Sequence, residues 1–389
     1  MITLLSKIFI KNYTDYQNEQ VRSQYGVLCG AFGIFLNAIL FTLKFVFGTL
    51  AASVAMVADA FNNLSDAGSS LVQILGFKLS AKKPDPDHPF GHGRIEYISG
   101  LIVSFLILYM GVALLKDSVL SIMHPKQPDT NVLSIVIMGI GILVKLYMFL
   151  YNHLIARKIG SVAMDVIAKD SLNDVISTGV VIIAIIGSHF VTLPLDGIGG
   201  VVVAAFILKT GFEAATDTIA PLLGTAPSAD FVYQIEEELM KHKPIIGMHD
   251  LVVHDYGPGR VMISLHAEVP GNLNIFSLHD VIDVAEHDIS VRFGCQVVIH
   301  MDPVDTENKR LEELKKILLE EIVKINPELK AHDVRMVPGD THTNLIFDVV
   351  KPFSCILTDE QLKLAIHEAV HARCTDVYCA ITVDQPFVK

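Results

Sequence analysis

Six apolar segments, at residues 26–48, 52–79, 95–122, 131–154, 162–188 and 197–220, are each long enough to cross a bilayer core of about 30 Å. In hydrocarbon no water satisfies backbone N–H and C=O groups, so each segment must be a helix that satisfies its own. The apolar excess is uneven. Over the whole chain 51% of residues are hydrophobic and the mean hydropathy is +0.47, but residues 25–222 carry that excess while 226–389 hold most of the charge. The expected fold class is a polytopic α-helical membrane protein with six transmembrane helices, followed by cytoplasmic α+β modules of αββαβ, ferredoxin-like type. The expected domains are 1–222, 223–304 and 305–389.

Basic residues set the orientation. Lys7, Lys11 and Arg22 precede the first span, Lys78, Lys82, Lys83 and Arg94 separate the second from the third, and Arg157 and Lys158 follow the fourth. The opposite loops are poorer in basic residues: 48–52 has no charge, 189–196 has Asp196 and His189, and Lys126 is balanced by Asp117 and Asp129. Both termini are therefore expected on the cytoplasmic side. The N-terminus lacks the pattern of a secretory signal. A net charge of -12 argues against nucleic acid as a partner. Cys29, Cys295, Cys355, Cys374 and Cys379 are scattered with no C-x-x-C pair, as expected of reduced, packed thiols.

After Pro221 the pattern changes to a helix at about 228–241, strands at 249–256 and 260–269 across the turn Gly257-Pro258-Gly259, a helix at about 276–292 and a strand at 295–302. This αββαβ unit then repeats. His249-Asp250-Leu251 corresponds to His332-Asp333-Val334, Glu268-Val269-Pro270 to Val350-Lys351-Pro352, and Ile299-His300-Met301-Asp302 to Ile381-Thr382-Val383-Asp384, at an offset of 82–83 residues. A charged helix at about 305–325 opens the second copy.

The chemistry concentrates in two pairs inside the apolar region, Asn62-x3-Asp66 and Asp170-x3-Asp174. Spacing of i, i+4 places each pair on one helix face. A carboxylate in the middle of a span costs roughly 2.5–3.5 kcal/mol, so such groups usually serve an ion or proton path. Oxygen donors without nitrogen or sulfur suit a hard divalent cation. The bland alternative is that these are packing or capping groups. Asp59 shares the face of Asp66 and reads either as an access ligand or as a helix end facing water.

With Ala58-Asp59-Ala60-Phe61-Asn62-Asn63-Leu64-Ser65-Asp66, Pro86-Asp87-His88-Pro89-Phe90-Gly91-His92-Gly93, Asp170-Ser171-Leu172-Asn173-Asp174 and Val298-Ile299-His300-Met301-Asp302-Pro303, the chain resembles the cation diffusion facilitators over residues 20–303. The resemblance implies six helices per protomer, a homodimer in the bilayer, and export of a divalent metal in exchange for protons. It also implies a transport site at Asn62, Asp66, Asp170 and Asp174. Zinc-selective members present a histidine in that quartet; here Asn62 and Asp170 stand instead, as in manganese-exporting members. Without imidazole the preference for zinc falls, and Mn²⁺ is favoured, with Fe²⁺, Co²⁺ and Zn²⁺ as lesser cargo.

The resemblance assigns a second metal site to Asp85, His88 and His92, in the loop between the second and third spans. There Pro84, Pro86 and Pro89 with Gly91 and Gly93 give the alternative of a purely structural turn. It assigns a tail cluster to His249, His266, His279, His300 and Asp302, with His279 on the helix covering the strands. In the second copy the equivalents are His332, Asp348, Thr382 and Asp384, an incomplete set that reads as scaffold or dimer contact.

His367-Glu368-Ala369-Val370-His371 is a literal H-E-x-x-H. Only 18 residues follow it and no further ligand motif does, so a surface helix face is expected rather than a protease. With no G-x-x-x-x-G-K-[ST], transport powered through a P-loop is also unexpected. The expected function is a proton-coupled metal antiporter. The alternative is a membrane-tethered metal sensor.

Overall fold

The computed structural model describes residues 2–16, 18–50, 54–124, 132–187, 195–339 and 341–387. The side chain of Asp59 and the loops around Lys126, Asp129 and His189 lie outside the described set. Two compact units are present. One is Met1–Thr225 with the turn Asp255–Arg260, the other Ala226–His254 with Val261–Lys389.

The first unit is helical. A short helix, α1 (Ile2–Phe9), precedes six long ones: α2 (Glu19–Leu50), α3 (Val54–Ser80), α4 (Ile95–Met123), α5 (Val132–Ile159), α6 (Val162–Gly187) and α7 (Leu195–Leu223). The sequence reading contains no α1 and starts the first span seven residues later than α2. At 1.5 Å per residue the 32 residues of α2 reach about 48 Å, so its polar first turns extend past a 30 Å hydrocarbon core. Among them Arg22 pairs with the buried Glu96 of α4 at 3.4 Å.

Among the described residues four helices, α2, α4, α5 and α7, are long and apolar enough to cross a membrane on length and composition alone. The remaining two, α3 and α6, are less apolar: Asn62, Asn63, Asp66 and Gln73 dilute one, and Asp165, Lys169, Asp170 and Asp174 the other. Packing compensates for this. Helix α3 lies against α2 and α4, and α6 lies against α4, α5 and α7, so the polar helices are flanked by apolar ones. Close approach depends on small residues at the crossings. A Cβ on Gly26 of α2 would fall 2.2 Å from the Phe77 ring of α3, and one on Gly100 of α4 would fall 3.0 Å from Ala163 of α6. Outward-facing Phe105 and Tyr109 of α4, Leu143 of α5 and Val202 of α7 remain exposed, as lipid-facing side chains are.

The second unit holds both copies of the αββαβ pattern. The first runs α8 (Ala229–Leu239), β1 (Gly247–Asp255), β2 (Val261–Pro270), α9 (Ile275–Phe293) and β3 (Gln296–Val304). The second runs α10 (Lys309–Ile325), β4 (Lys330–Pro338), β5 (Thr343–Val350), α11 (Asp359–Arg373) and β6 (Val377–Asp384). Each forms its own three-stranded sheet, in the orders β1-β2-β3 and β4-β5-β6. The last strand of each is parallel to the central one, as a strand–helix–strand crossover requires.

Helix starts follow the capping chemistry of the sequence. Ser228, Asn274 and Asn308 each accept a bond from the first turn that follows, and Thr358 with Gln361 forms a reciprocal capping box.

Strand alternation separates two faces. Ile263, Leu265, Ala267 and Val269 of β2 are buried with Ile299 of β3 against Leu278, Ile282, Ala285 and Ile289 of α9. Leu345, Phe347 and Val349 of β5 pack likewise against Leu314, Leu318 and Ile322 of α10 and Leu362, Ile366 and Val370 of α11. The residues between them, including His266, His300 and Asp302, occupy the opposite, helix-free face. All five cysteines are free thiols, four of them buried, and burial pushes the Cys379 thiol up to about 12.

Candidate metal centres

In the helical unit the paired spacing resolves into one site. Asp66 is buried on α3, one turn after half-buried Asn62, while Asp170 and Asp174 lie on α6. Between the two helices stands a fifth residue, Lys145 of α5. Its Nζ lies 2.6 Å from Asp66 Oδ2 and 2.6 Å from Asp174 Oδ2, and its charge also acts on Asp170. A cavity of about 50 Å³ opens beside this pairing, lined by Asn62, Asn63, Lys145, Asp174, Ser177, Thr178 and the buried Lys44 of α2. That space accommodates water next to the carboxylates.

Lys145 is not among the expected site residues, although it is the only charged side chain between residues 132 and 156. A lysine so placed needs a carboxylate partner, which was the available signal.

The loop motif also closes on itself. His88 Nδ1 lies 3.2 Å from Asp85 Oδ1, His92 Nε2 lies 3.5 Å from Asp85 Oδ2, and the imidazole centroids are 4.6 Å apart. Proline and glycine shape this turn, with Gly91 at φ 82°. His92 is buried and its Nδ1 has no hydrogen-bond partner. The Lys82 ammonium, 2.6 Å from Asp85, and the bonds Asp85 accepts from His88 hold the carboxyl well below the usual range, so it is an anion throughout the physiological range. A metal here would have to take Asp85 from Lys82.

In the tail, register brings His266 of β2 opposite His300 of β3. His266 Nδ1 is 2.8 Å from Asp302 Oδ2, His249 Nε2 is 3.1 Å from the same oxygen, and His300 Nε2 is 3.2 Å from Asp302 Oδ1. His249, His266 and Asp302 thus form a compact ligand group, with exposed His300 at its edge.

Residues 31–223 match the cation efflux transmembrane domain, and residues 227–304 match the cation efflux protein, cytoplasmic domain. The chain belongs to the cation diffusion facilitator family. An uncharacterized transporter of Methanocaldococcus jannaschii is 29% identical over 270 residues, which cover 69% of this chain and 95% of that protein. The manganese efflux system protein MneS of Bacillus subtilis is 26% identical over 268 residues, 69% of this chain and 92% of that one. The cation-efflux pump FieF of Shewanella oneidensis is 25% identical over 272 residues, 69% of this chain and 90% of its own. Members of the family are transporters of divalent metal cations, not enzymes, and the tail is their dimerisation domain. The family match ends at 304, so the second αββαβ copy of this facilitator lies outside it.

One expected tail ligand is not brought to the cluster. His279 sits on the first turn of α9, 69% exposed and 3.3 Å from Asp283. The reason is the two-faced sheet: α9 covers the apolar face of β2 and β3, whereas His266, His300 and Asp302 point from the other. Conversely, Asp250 and His332 do join His249, as a second ligand group that spans the two copies. The ligand sets expected from the sequence keep the two copies apart and omit Asp250, although each histidine is followed by an aspartate in both copies.

The H-E-x-x-H residues of this facilitator serve packing. His367 Nδ1 accepts a bond from the Cys379 amide, His371 Nδ1 lies 3.2 Å from the Val377 carbonyl oxygen, and Glu368 is exposed. Among the described residues no third ligand gathers around them.

Proposed function

We propose that this chain is a proton-coupled exporter of divalent metal in the cell membrane, favouring Mn²⁺ over Fe²⁺, Co²⁺ and Zn²⁺, working as a homodimer with both termini cytoplasmic. The observation that carries the reading is the Asn62, Asp66, Asp170 and Asp174 set on α3 and α6, in which Lys145 bridges Asp66 and Asp174. Its neutral and anionic donors are oxygens, and the Lys145 nitrogen beside them is an ammonium with no lone pair to offer. Such a shell suits a hard, partly hydrated cation. The Bacillus subtilis relative, itself a manganese efflux protein, supports the same choice. Basic residues at Arg22, Lys82 and Arg157 support the orientation.

Lys145 gives the coupling a physical form. Without metal, its ammonium neutralises Asp66 and Asp174; an entering cation must take both carboxylates from it. On the far side, protons reaching the carboxylates and the returning ammonium compete with the metal for the same oxygens. A proton gradient then drives release. Alternating exposure of α3 and α6 would carry the ion across.

The test is flux of Mn²⁺ and Zn²⁺ into proteoliposomes of the purified protein, beside an Asp174→Asn variant. Faster Mn²⁺ flux, absent in the variant, is expected. Binding without flux would favour the tethered sensor, and equal rates for the two metals would remove the manganese preference.

A further inference from the structure

The two αββαβ copies touch through residues that the duplication makes equivalent. His249 and His332 hold the same place in each copy, and their ring centroids are 4.7 Å apart. Each is followed by an aspartate in the left-handed region, Asp250 at φ 49° and Asp333 at φ 51°. Contact between equivalent positions is the mark of a two-fold relation, as in isologous dimers. Here that relation is built inside one chain, where β3 approaches β4.

The junction is polar and incompletely bonded. His249 and His332 have side chains only 9% and 11% exposed, and no ring nitrogen of either has a hydrogen-bond partner. Leaving such buried groups unbonded is costly unless something else satisfies them. Facing them are acidic oxygens: Asp250 Oδ1 lies 3.5 Å from His332 Nε2, Asp250 Oδ2 lies 3.4 Å from His249 Nδ1, and Asp384 Oδ2 lies 3.9 Å from His332 Nε2. Two ligands of one tetrahedral ion, with bonds of about 2.1 Å, are separated by about 3.4 Å. The 3.4 and 3.5 Å separations around Asp250 match donors arranged around a common cation, and Asp384 stands at the edge of that group, 3.9 Å from His332.

We propose that Asp250 and His332, with Asp384 closing in from the edge, bind a divalent cation of the Zn²⁺ or Co²⁺ class at the junction of the two copies, and that this ion clamps the second copy to the first. His249 links the site to its neighbour. Its Nε2 faces Asp302 while its Nδ1 faces Asp250, so a ring that ligates through Nε2 turns its Nδ1–H toward that carboxylate. The site differs from the His249, His266 and Asp302 group because two of its ligands come from residues 305–389, beyond the family match. It is independent of the transport reading, since it concerns binding in the tail.

The experiment counts tightly bound Zn²⁺ per protomer in the full-length, detergent-purified protein, with Co²⁺ absorption as a second readout. His332→Ala and Asp384→Asn should each bind one ion fewer than the parent, or bind it at least about tenfold more weakly. Their thermal midpoint should also rise less on adding Zn²⁺. Asp250→Asn guards against misfolding, because asparagine keeps the left-handed backbone while removing the charge; it should weaken the same ion. Folded variants that retain the parent's ion count, affinity and Co²⁺ spectrum would overturn the proposal.

Discussion

Lys145 and Asp174 form an ion pair of 2.6 Å between α5 and α6, and the same ammonium nitrogen lies 2.6 Å from Asp66 on α3. Three helices therefore meet at one cation supplied by the chain itself. If that ammonium competes with the cargo, Lys145→Met should bind Mn²⁺ about tenfold more tightly or better, a gain of about 1.4 kcal/mol, while turnover falls. Titration calorimetry on the purified protein measures the affinity. A dissociation constant within twofold of the parent's would mean that Lys145 is a structural bridge and no competitor.

Single removal of either carboxylate should abolish transport without unfolding the protein. In Asp66→Ala, Lys145 keeps Asp174; in Asp174→Ala, it keeps Asp66. The double variant leaves the ammonium with Asp170 as its remaining carboxylate and no close ion pair, a loss that approaches the roughly 3–5 kcal/mol of breaking a buried pair. Thermal unfolding should therefore show two mild single variants and a much less stable double one. Normal Mn²⁺ flux in either single variant would refute the site assignment.

Selectivity is expected to follow donor type. Asp170→His restores the borderline-soft nitrogen that a tetrahedral zinc shell takes, so the ratio of Zn²⁺ to Mn²⁺ flux should rise severalfold. Competition between the two metals in one vesicle preparation reads this directly. An unchanged ratio would move the selection step away from α6, toward Asp85, His88 and His92.

Most of the fold is legible because lipid leaves so few choices. Continuous apolar runs name the helices, and alternation after Pro221 names the strands. The acidic pairs are legible for the opposite reason, as costly exceptions within α3 and α6. What stayed hidden depends on contacts between distant segments. Spacing does not say that Lys145 reaches across to α3, nor that His279 stands on the wrong side of a sheet whose histidines face away from α9. Asp250 was hidden by its backbone: in a left-handed kink it escapes strand alternation, so its carboxylate meets His332 of the other copy.

Removal of residues 305–389 should leave a transporter. Asn62, Asp66, Asp170 and Asp174, with Lys145, all precede the cut, and the first copy has its own core around Leu265 and Ile282. The truncated protein loses His332 and Asp384 and exposes the polar sheet face. It should therefore melt at a lower temperature and respond less to Zn²⁺, yet still move Mn²⁺ when dimeric and inserted. Complete loss of flux in such a preparation would make the second copy part of the transport cycle.

The most direct test of proton-coupled exchange at this quartet follows Mn²⁺ entry and internal pH together in sealed proteoliposomes. With the interior more acidic than the medium, Mn²⁺ should accumulate while protons leave, and reversing the gradient should slow entry. Asp174→Asn should show neither flux. Mn²⁺ movement that ignores the pH gradient and leaves the internal pH unchanged would contradict the account.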